Sequence, residues 1–537
     1  MACPVCSSGS EYALSTPRRS FLRCAECGFA WSSPSSRPDS AASRERYLLH
    51  RNEAGDPEYV GYLSGIIDQA LSRVEAGSGA SVRLAVDWGS GPNPVCASLL
   101  RARGLEVSIW DPFFADGAPP AAGSSDLVLC IEVAEHFLDP VPDFMAMAAC
   151  LRPGGYAAVH TRIAPEDDAA FLRWWYIEDP THVSFYSERS LRLLSRRASL
   201  SLREVLDGRL SIFSRPLPVL VAGGANLDME GRSFAALVAG DSNPGRIRFA
   251  PGGAARNVAE NLVRLGIAAE LSAAVGADAA GRDLEERTAA SGIGTAGVER
   301  MEGSATSCYL SILDDEGEMA LALSSMEICD RFVPEYALAS CVRAAAAASA
   351  RSFVRPSSVP FSALMLDGNL LPATVEALLD RFPDTPAWFD PVSTTKARRF
   401  AEWRSGALVG RFAALKPNRV EADAMGAALL RRTAGVLYVS QGPEGVSAAG
   451  RGAEFRFKPP AVEVVSATGA GDAFLAGALR AILLGDSIEE SVVQGCAASS
   501  MALASSESCP PGLSAVRAED IVGRWRRSGV VAGKECR

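Results

Sequence analysis

Short apolar runs such as LAVDW (84–88), VSIW (107–110) and DLVLC (126–130) alternate with stretches long enough for a helix from about residue 58 to 212. Strands spaced this way cannot close as hairpins. They demand parallel pairing, a crossover each time, and helices over the sheet faces. RPLP at Arg215–Pro218 interrupts the pattern, since a proline cannot donate to a ladder or a helix. VLVAGGANLD (219–228) then opens a second α/β pattern that runs to about 525. The expected fold class is α/β, built twice in one chain, and 537 residues fit two or three domains.

Composition narrows the function. Hydrophobic residues make up 48% and charged residues 22%, the proportions of soluble globular cores. No run of 18 apolar residues occurs, so no membrane span is expected. The start, MACPVC, lacks a basic segment and an apolar signal region, so a cytoplasmic location with reduced or metal-bound cysteines is expected. Net charge is −10, and residues 1–212 hold 20 Arg and no Lys against 26 acidic residues. That balance argues against general nucleic-acid binding. All four histidines (His50, His136, His160, His182) precede residue 212, so a general base in the C-terminal half is expected to be a carboxylate.

Cys3-x2-Cys6 and Cys24-x2-Cys27 stand seventeen residues apart. Two such knuckles supply four thiolates to a tetrahedral Zn²⁺, the zinc-ribbon spacing. Four thiolates fill the coordination sphere, so a structural ribbon over 1–31 is expected, steadying a unit with little core of its own. The Ser/Pro/Arg-rich segment 32–46 reads as a linker.

In LAVDWGSGPNP (84–94) a strand ends in a glycine turn, and Asp111 closes the next strand about twenty residues on. Such a turn lets backbone approach a nucleotide-like ligand, while the acid accepts bonds from ribose hydroxyls. Together with SSDLVLCIEVAEHF (124–137) and LRPGG (151–155), the set resembles class I S-adenosylmethionine-dependent methyltransferases. DPTHVSFYS (179–187) resembles one subgroup of them. The resemblance implies a Rossmann-like domain over 47–212 with Asp87, Gly89, Gly91 and Asp111 at the cofactor, and the strand into Glu132 bordering the pocket. Asn93-Pro94 stands where the usual turn has its third glycine, so the loop is expected to run differently there. His136 and His182 are candidate bases; the alternative is a histidine satisfied within the core. The methyl acceptor is not legible.

SATGAGDAFLAG (466–477) is a glycine turn that opens an apolar helix and carries an aspartate where a Walker loop would carry lysine. Free N–H groups at Gly469, Ala470 and Gly471 suit an anion, and Asp472 in the first helical turn is expected to stay ionised. Amides facing developing negative charge beside a proton acceptor describe a phosphoryl-transfer site; a helix-capping Asp after a turn is the plainer alternative. PGGAARNVAENLVRLG (251–266) is a second glycine turn feeding a helix, with Asn257 near its start. LKPNRVEAD (415–423) sets Asn418 and Glu421 three apart, on one helical face, where they can order Mg²⁺ or its waters. VSQGPEGV (439–446) is a strand-to-glycine loop fit to underlie a nucleotide.

These four segments, in this order, resemble the ribokinase-like (phosphofructokinase-B type) sugar and nucleoside kinases over 217–525. The resemblance implies a ribokinase-like α/β domain with a small β lid and ATP with Mg²⁺ as cofactors. It implies Asp472 as catalytic base and Gly469, Ala470 and Gly471 as anion hole. Asn418 and Glu421 would serve the metal and phosphates, Ser440, Gly442 and Gly445 would lie along ATP, and Gln494 would stand near the adenine. Asn226, Asp228, Gly253 and Asn257 would hold ribose hydroxyls. Ser466 replaces the acid often associated with a monovalent cation, which puts potassium activation in doubt. VAGDSNPGRIRFAPGGAARNVAENL (238–262), LDGNL (366–370), DPVS (390–393) and SSMAL (499–503) resemble the pseudouridine kinases within that family. The implied reaction converts pseudouridine to its 5′-phosphate, with a homodimer and a small-molecule nucleoside as expected partners. Two alternatives stand beside it. One is a kinase for another nucleoside or a sugar. The other is an RNA methyltransferase whose kinase-fold half only binds.

Overall fold

The computed structural model describes residues 2–49, 54–115, 117–355, 358–433, 435–450 and 452–531; His50 lies outside them. The chain divides into two compact units. The first holds residues 1–217, 351–358 and 515–537, and the second holds 218–350 and 359–514.

In the first unit a six-stranded sheet has Leu84–Trp88 between Glu106–Trp110 and Ser125–Ile131. Leu151–His160 follows, and these four strands are parallel. Leu210–Ser214 and Ser201–Leu206 extend the sheet antiparallel. Local chemistry fixes the covering helix Pro57–Ser78. The Asp56 carboxylate accepts from the N–H groups of Glu58 and Tyr59, Pro57 occupies the first turn, and Gly79 closes the helix at φ +64. Its apolar face, Leu63, Ile66, Ile67, Ala70 and Val74, is buried against the sheet core.

The cysteine-rich segment forms three antiparallel strands, Glu11–Ser15, Ser20–Cys24 and Ala30–Ser32. It does not stand apart as a ribbon of its own. Ser184–Phe185, from the DPTHVSFYS stretch, pairs with Ala30–Trp31 as a fourth strand. Phe21, Phe171 and Phe185 pack with ring centroids 5.4–5.7 Å apart, so the ribbon shares its core with the sheet domain. The closing helix, Ala515–Arg527, belongs to the same unit, where Glu519 pairs with Arg196 at 3.1 Å and Asp520 with Arg197. The sequence pattern of the second α/β region runs to about 525, whereas the compact second unit ends at Ser514, before this helix.

The second unit is built on a nine-stranded sheet. Its first seven strands, Gly294–Met301, Ala269–Gly276, Val219–Ala222, Ala363–Asp367, Ala387–Asp390, Ala414–Leu415 and Val436–Ser440, are parallel. A hairpin, Val446–Gly450 and Ala453–Phe457, adds two antiparallel strands. A small four-stranded sheet orders Gly245–Gly252, Asn226–Ser233, Cys308–Leu313 and Met319–Ser325. This is the expected β lid. Pairing places Met229, Phe249, Leu310 and Leu323 on one face and Asp228 on the other. Among the described residues, no helix is long and apolar enough to cross a membrane.

Candidate active sites

Strand ends and helix starts deliver the polar groups of the second unit. Gly469, at φ +80, turns the chain into the helix Ala470–Leu483. A Cβ there would stand 2.3 Å from the Ser508 carbonyl oxygen, so only glycine fits. Asp472 follows in the first turn. Its Oδ2 accepts from Asn257 Nδ2 at 3.1 Å, which ties two of the sequence motifs together. The carboxyl is not held low as the helix terminus alone would dictate. Burial, then the nearby Asp390 carboxylate, push it up to about 7.

Lys416 is the group that sequence reasoning missed. It is 6% exposed, and its Nζ donates to Asp390 Oδ2 at 3.0 Å. A Cβ on Gly471 would come within 2.9 Å of that Nζ, so the glycine turn and the ammonium are in contact range. Burial pulls the ammonium's pKa down, but Asp390 overrides this and holds it above the ordinary lysine value, with Asp472 and Glu421 adding to the effect. One signal was available. The chain holds four lysines, Lys396, Lys416, Lys458 and Lys534, and uses arginine elsewhere. Two of the four are buried or part-buried in this polar cluster, each donating a compact ammonium to one of its oxygens.

Asp367, fully buried, was likewise seen only as part of LDGNL. Its Oδ2 accepts from the N–H groups of Gly224 and Ala255, both at 3.0 Å, and Asn369 N–H reaches Oδ1 at 2.8 Å. It therefore pins the GGAN turn against the turn after Gly252. Gly253, at φ +99, would put a Cβ 2.4 Å from the Gly224 carbonyl oxygen. Asn226 Nδ2 donates to Asp228 Oδ1 at 2.5 Å, and burial pushes Asp228 up to about 6.

Asn418 and Glu421 form a reciprocal capping box on the helix Arg419–Met425: Asn418 Oδ1 accepts from Glu421 N–H at 2.9 Å, and Glu421 Oε2 from Asn418 N–H at 2.8 Å. That uses the single amide oxygen of Asn418 and one of the two carboxylate oxygens of Glu421. Burial, then Asp390, raise the Glu421 carboxyl against the opposing pull of the Asn418 N–H and the Lys416 ammonium. Ser440 pairs with Asn418 across an isolated bridge, so the two loops meet. Gly442 and Gly445 both take positive φ, and at Gly445 a Cβ would strike the Phe457 carbonyl oxygen at 2.0 Å. Gln494 is different. It is 1% exposed inside the helix Ile488–Leu503 and donates to Glu490 at 3.0 Å.

The first unit carries a cleft of about 540 Å³, lined among others by Asp87, Gly89, Gly91 and Asp111. Asp111 Oδ2 accepts from Gly91 N–H at 2.9 Å, and its Oδ1 from Phe113 and Phe114 N–H at 2.8 and 3.2 Å. The acid thus latches the glycine turn to the following loop. A Cβ on Gly89, at φ +80, would meet Val133 at 2.4 Å. Asp87 accepts from Ala97 N–H at 3.0 Å at the start of the helix Val95–Ala102, and burial pushes it up to about 6. At the far wall, Glu132 sits at φ +54 and faces His160 Nδ1 at 2.8 Å. Burial and Glu132 together push Glu135 up to about 8.

The four N-terminal cysteines gather with Sγ atoms within 4.8 Å of one another; Cys3–Cys27 are 3.6 Å apart and Cys6–Cys24 3.5 Å. Disulfide sulfurs would stand at about 2.05 Å. Tetrahedral thiolates around Zn²⁺ at about 2.3 Å stand about 3.8 Å from one another, so the set fits the metal.

A parallel-sheet unit with a small β lid, a glycine turn under a helix start and a carboxylate beside it is the build of an ATP-dependent small-molecule kinase, joined here to a Rossmann-like methyl-transfer domain. Residues 219–514 match the pfkB family carbohydrate kinases and residues 62–205 a methyltransferase domain. The chain belongs to the pfkB family of carbohydrate kinases. It is 33% identical over 321 residues to a pseudouridine kinase of Escherichia coli K12, covering 57% of this chain and 96% of that one. It is 30% identical over 215 residues to a pseudouridine kinase of Arabidopsis thaliana, covering 40% and 51%. A solved carbohydrate kinase from Agrobacterium tumefaciens is 29% identical, with 57% and 97% covered and a TM-score of 0.48. Pseudouridine kinase relatives and the domain match make the protein a nucleoside or sugar kinase with a methyltransferase domain before it.

Proposed function

We propose that the second unit transfers the γ-phosphate of ATP to the 5′-hydroxyl of a ribonucleoside, and that the nucleoside is pseudouridine. The observation that carries the reading is the Asn257–Asp472 hydrogen bond beside Lys416, which joins the substrate-side helix to the anion turn. Two pseudouridine kinases among the relatives support the choice of nucleoside. Asp472, poised at about 7, accepts the hydroxyl proton near neutral pH. The amides of Gly469, Ala470 and Gly471 and the Lys416 ammonium face the charge of the transferring phosphoryl group. Asn226, Asp228, Gly253 and Asn257 hold the ribose. Ser440, Gly442 and Gly445 lie along ATP. Asn418 and Glu421, with Asp390 close by, hold Mg²⁺, which when bound neutralises phosphate charge. The apolar outer face of the lid, with Ile247, Phe249, Met319, Leu321 and Leu323 exposed, suits a second copy of the chain.

For the first unit we infer a methyltransferase that binds S-adenosylmethionine at Asp87, Gly89, Gly91 and Asp111, over a structural Zn²⁺ held by Cys3, Cys6, Cys24 and Cys27. The test is a panel of nucleosides and sugars offered to the full chain with Mg²⁺–ATP, reading ADP release and product mass. Pseudouridine phosphate as the preferred product supports the proposal. Activity on other acceptors with none on pseudouridine makes the protein a kinase for a different substrate.

A further inference from the structure

One wall of the methyltransferase cleft holds a cluster that neither the donor turn nor the four-cysteine site uses. Glu135 and His136 lie on the short turn Ala134–His136, and His182 on the loop after Asp179. One candidate ligand atom from each lies within 4.8 Å of the others. His136 Nδ1 stands 2.8 Å from the Thr181 carbonyl oxygen, and His182 Nδ1 2.8 Å from the Tyr176 carbonyl oxygen. A carbonyl only accepts, so both Nδ1 atoms carry the hydrogen and the lone pair of each neutral ring sits on Nε2. This is the arrangement that orients histidine ligands around a metal.

Glu135 supplies a second, independent observation. It is 0% exposed, and Tyr176 Oη donates to its Oε1 at 2.6 Å. Among the described residues no donor reaches its Oε2. A buried carboxylate oxygen without a partner is costly, and a cation is the partner it lacks. The two segments are also stitched together. Val183 N–H donates to the Glu135 carbonyl at 2.8 Å, Ser184 Oγ to the Phe137 carbonyl at 2.6 Å, and Tyr186 Oη to the Ala134 carbonyl at 2.7 Å. The three ligands are held in place before anything binds.

We propose that Glu135, His136 and His182 form a divalent-cation site on the wall of the cleft, with open positions that take an oxygen of the methyl acceptor; the acceptor clause rests on the methyltransferase reading above. Two imidazoles and one carboxylate suit Mn²⁺, Co²⁺ or Zn²⁺, and three protein ligands leave at least one position for substrate. The acceptor class is then a hydroxyl compound.

The experiment titrates Mn²⁺ into the full chain without nucleotide, following free Mn²⁺ by electron paramagnetic resonance, with zinc content measured in parallel. Mn²⁺ competes poorly for four thiolates, so the metal held by the cysteines stays in place. The expected result is one Mn²⁺ per chain, weakened at least about tenfold by His182→Ala and by the milder His136→Gln, with zinc content unchanged. No uptake by the wild-type chain, or uptake that survives both substitutions in folded protein, overturns the site. S-adenosylmethionine is titrated by calorimetry on the same samples. Cofactor binding without Mn²⁺ uptake sinks the site and leaves the methyltransferase reading; Mn²⁺ uptake without cofactor binding leaves the site and sinks the acceptor clause.

Discussion

Asp472→Asn separates a catalytic carboxylate from a capping one, because the two roles give opposite signs in stability. In the folded chain the carboxyl is pushed from 3.8 up to about 7, by burial first and by Asp390 second. An acid whose folded pKa is raised destabilises the fold once it ionises. The cost is absent below pH 4, grows as pH rises, and is complete above pH 7. At about 1.36 kcal/mol per unit the ceiling is about 4 kcal/mol. Asparagine removes that cost while its amide oxygen still accepts from Asn257. The variant is therefore expected to melt higher than wild type at pH 8, with the gain shrinking toward pH 4.5. Its turnover is expected to fall by about 10²–10⁴, the loss of a general base, while nucleoside affinity stays within about a few fold. The assays are thermal melts across pH and kcat with pseudouridine and ATP. Wild-type kcat/KM should rise to a plateau through a pH near 7. A charge serving only the helix terminus would contribute about 0.3–1 kcal/mol in the other direction. Destabilisation at pH 8 with near-normal kcat would refute the assignment.

Lys416→Met leaves the buried Asp390 carboxylate unpaired and should cost about 3–5 kcal/mol, read as a lowered melt of the kinase unit together with lost ADP release. Gly469→Ala forces a Cβ to 2.3 Å from the Ser508 carbonyl at positive φ, so both stability and phosphoryl transfer should fall, whereas a substitution at the open Gly442 surface should spare stability more. Asp111→Ala removes an acceptor shared by three N–H groups and should weaken S-adenosylmethionine binding about 10–100-fold by calorimetry. Stripping the Zn²⁺ proposed at the four cysteines with a thiol reagent should lower the melting of the first unit, since Cys3, Cys24 and Cys27 are buried in its core.

How far the chain could be read in advance depended on where each residue finds its partner. Both large sheets were legible because their central strands, such as Leu84–Trp88, Val219–Ala222 and Ala363–Asp367, are mostly apolar and spaced by helices, and that periodicity is local. The glycine turns were legible because the positive φ at Gly89, Gly253 and Gly469 is a local demand, although the groups that crowd them, Val133, Gly224 and Ser508, come from other segments. The ribbon's cysteine set could be read from spacing, but not its shared core, because Phe171 and Phe185 reach Phe21 from about 150 residues away. The closing helix escaped for the same reason; Glu519 meets Arg196 over 323 positions, and periodicity says nothing about which sheet a helix covers.

The candidate active site shows the same division more sharply. Asp472, Asn257, Asn418 and Glu421 announce themselves by type and spacing, yet what each does depends on a neighbour brought in by the sheet. The helix start alone predicts a lowered Asp472 pKa, and burial in the folded unit, then Asp390 from 82 positions earlier, raise it instead. Lys416 and Asp367 sat inside quoted motifs without a role, since only parallel pairing of Ala363–Asp367, Ala387–Asp390 and Ala414–Leu415 sets their carboxylates and ammonium side by side at the strand ends. A parallel sheet collects such groups at one edge from segments that share no local signal. Motifs therefore name the turns proposed to touch phosphate. The charges that tune those turns arrive by topology, and Asp390 with Lys416 is the pair where substitution should uncouple the two.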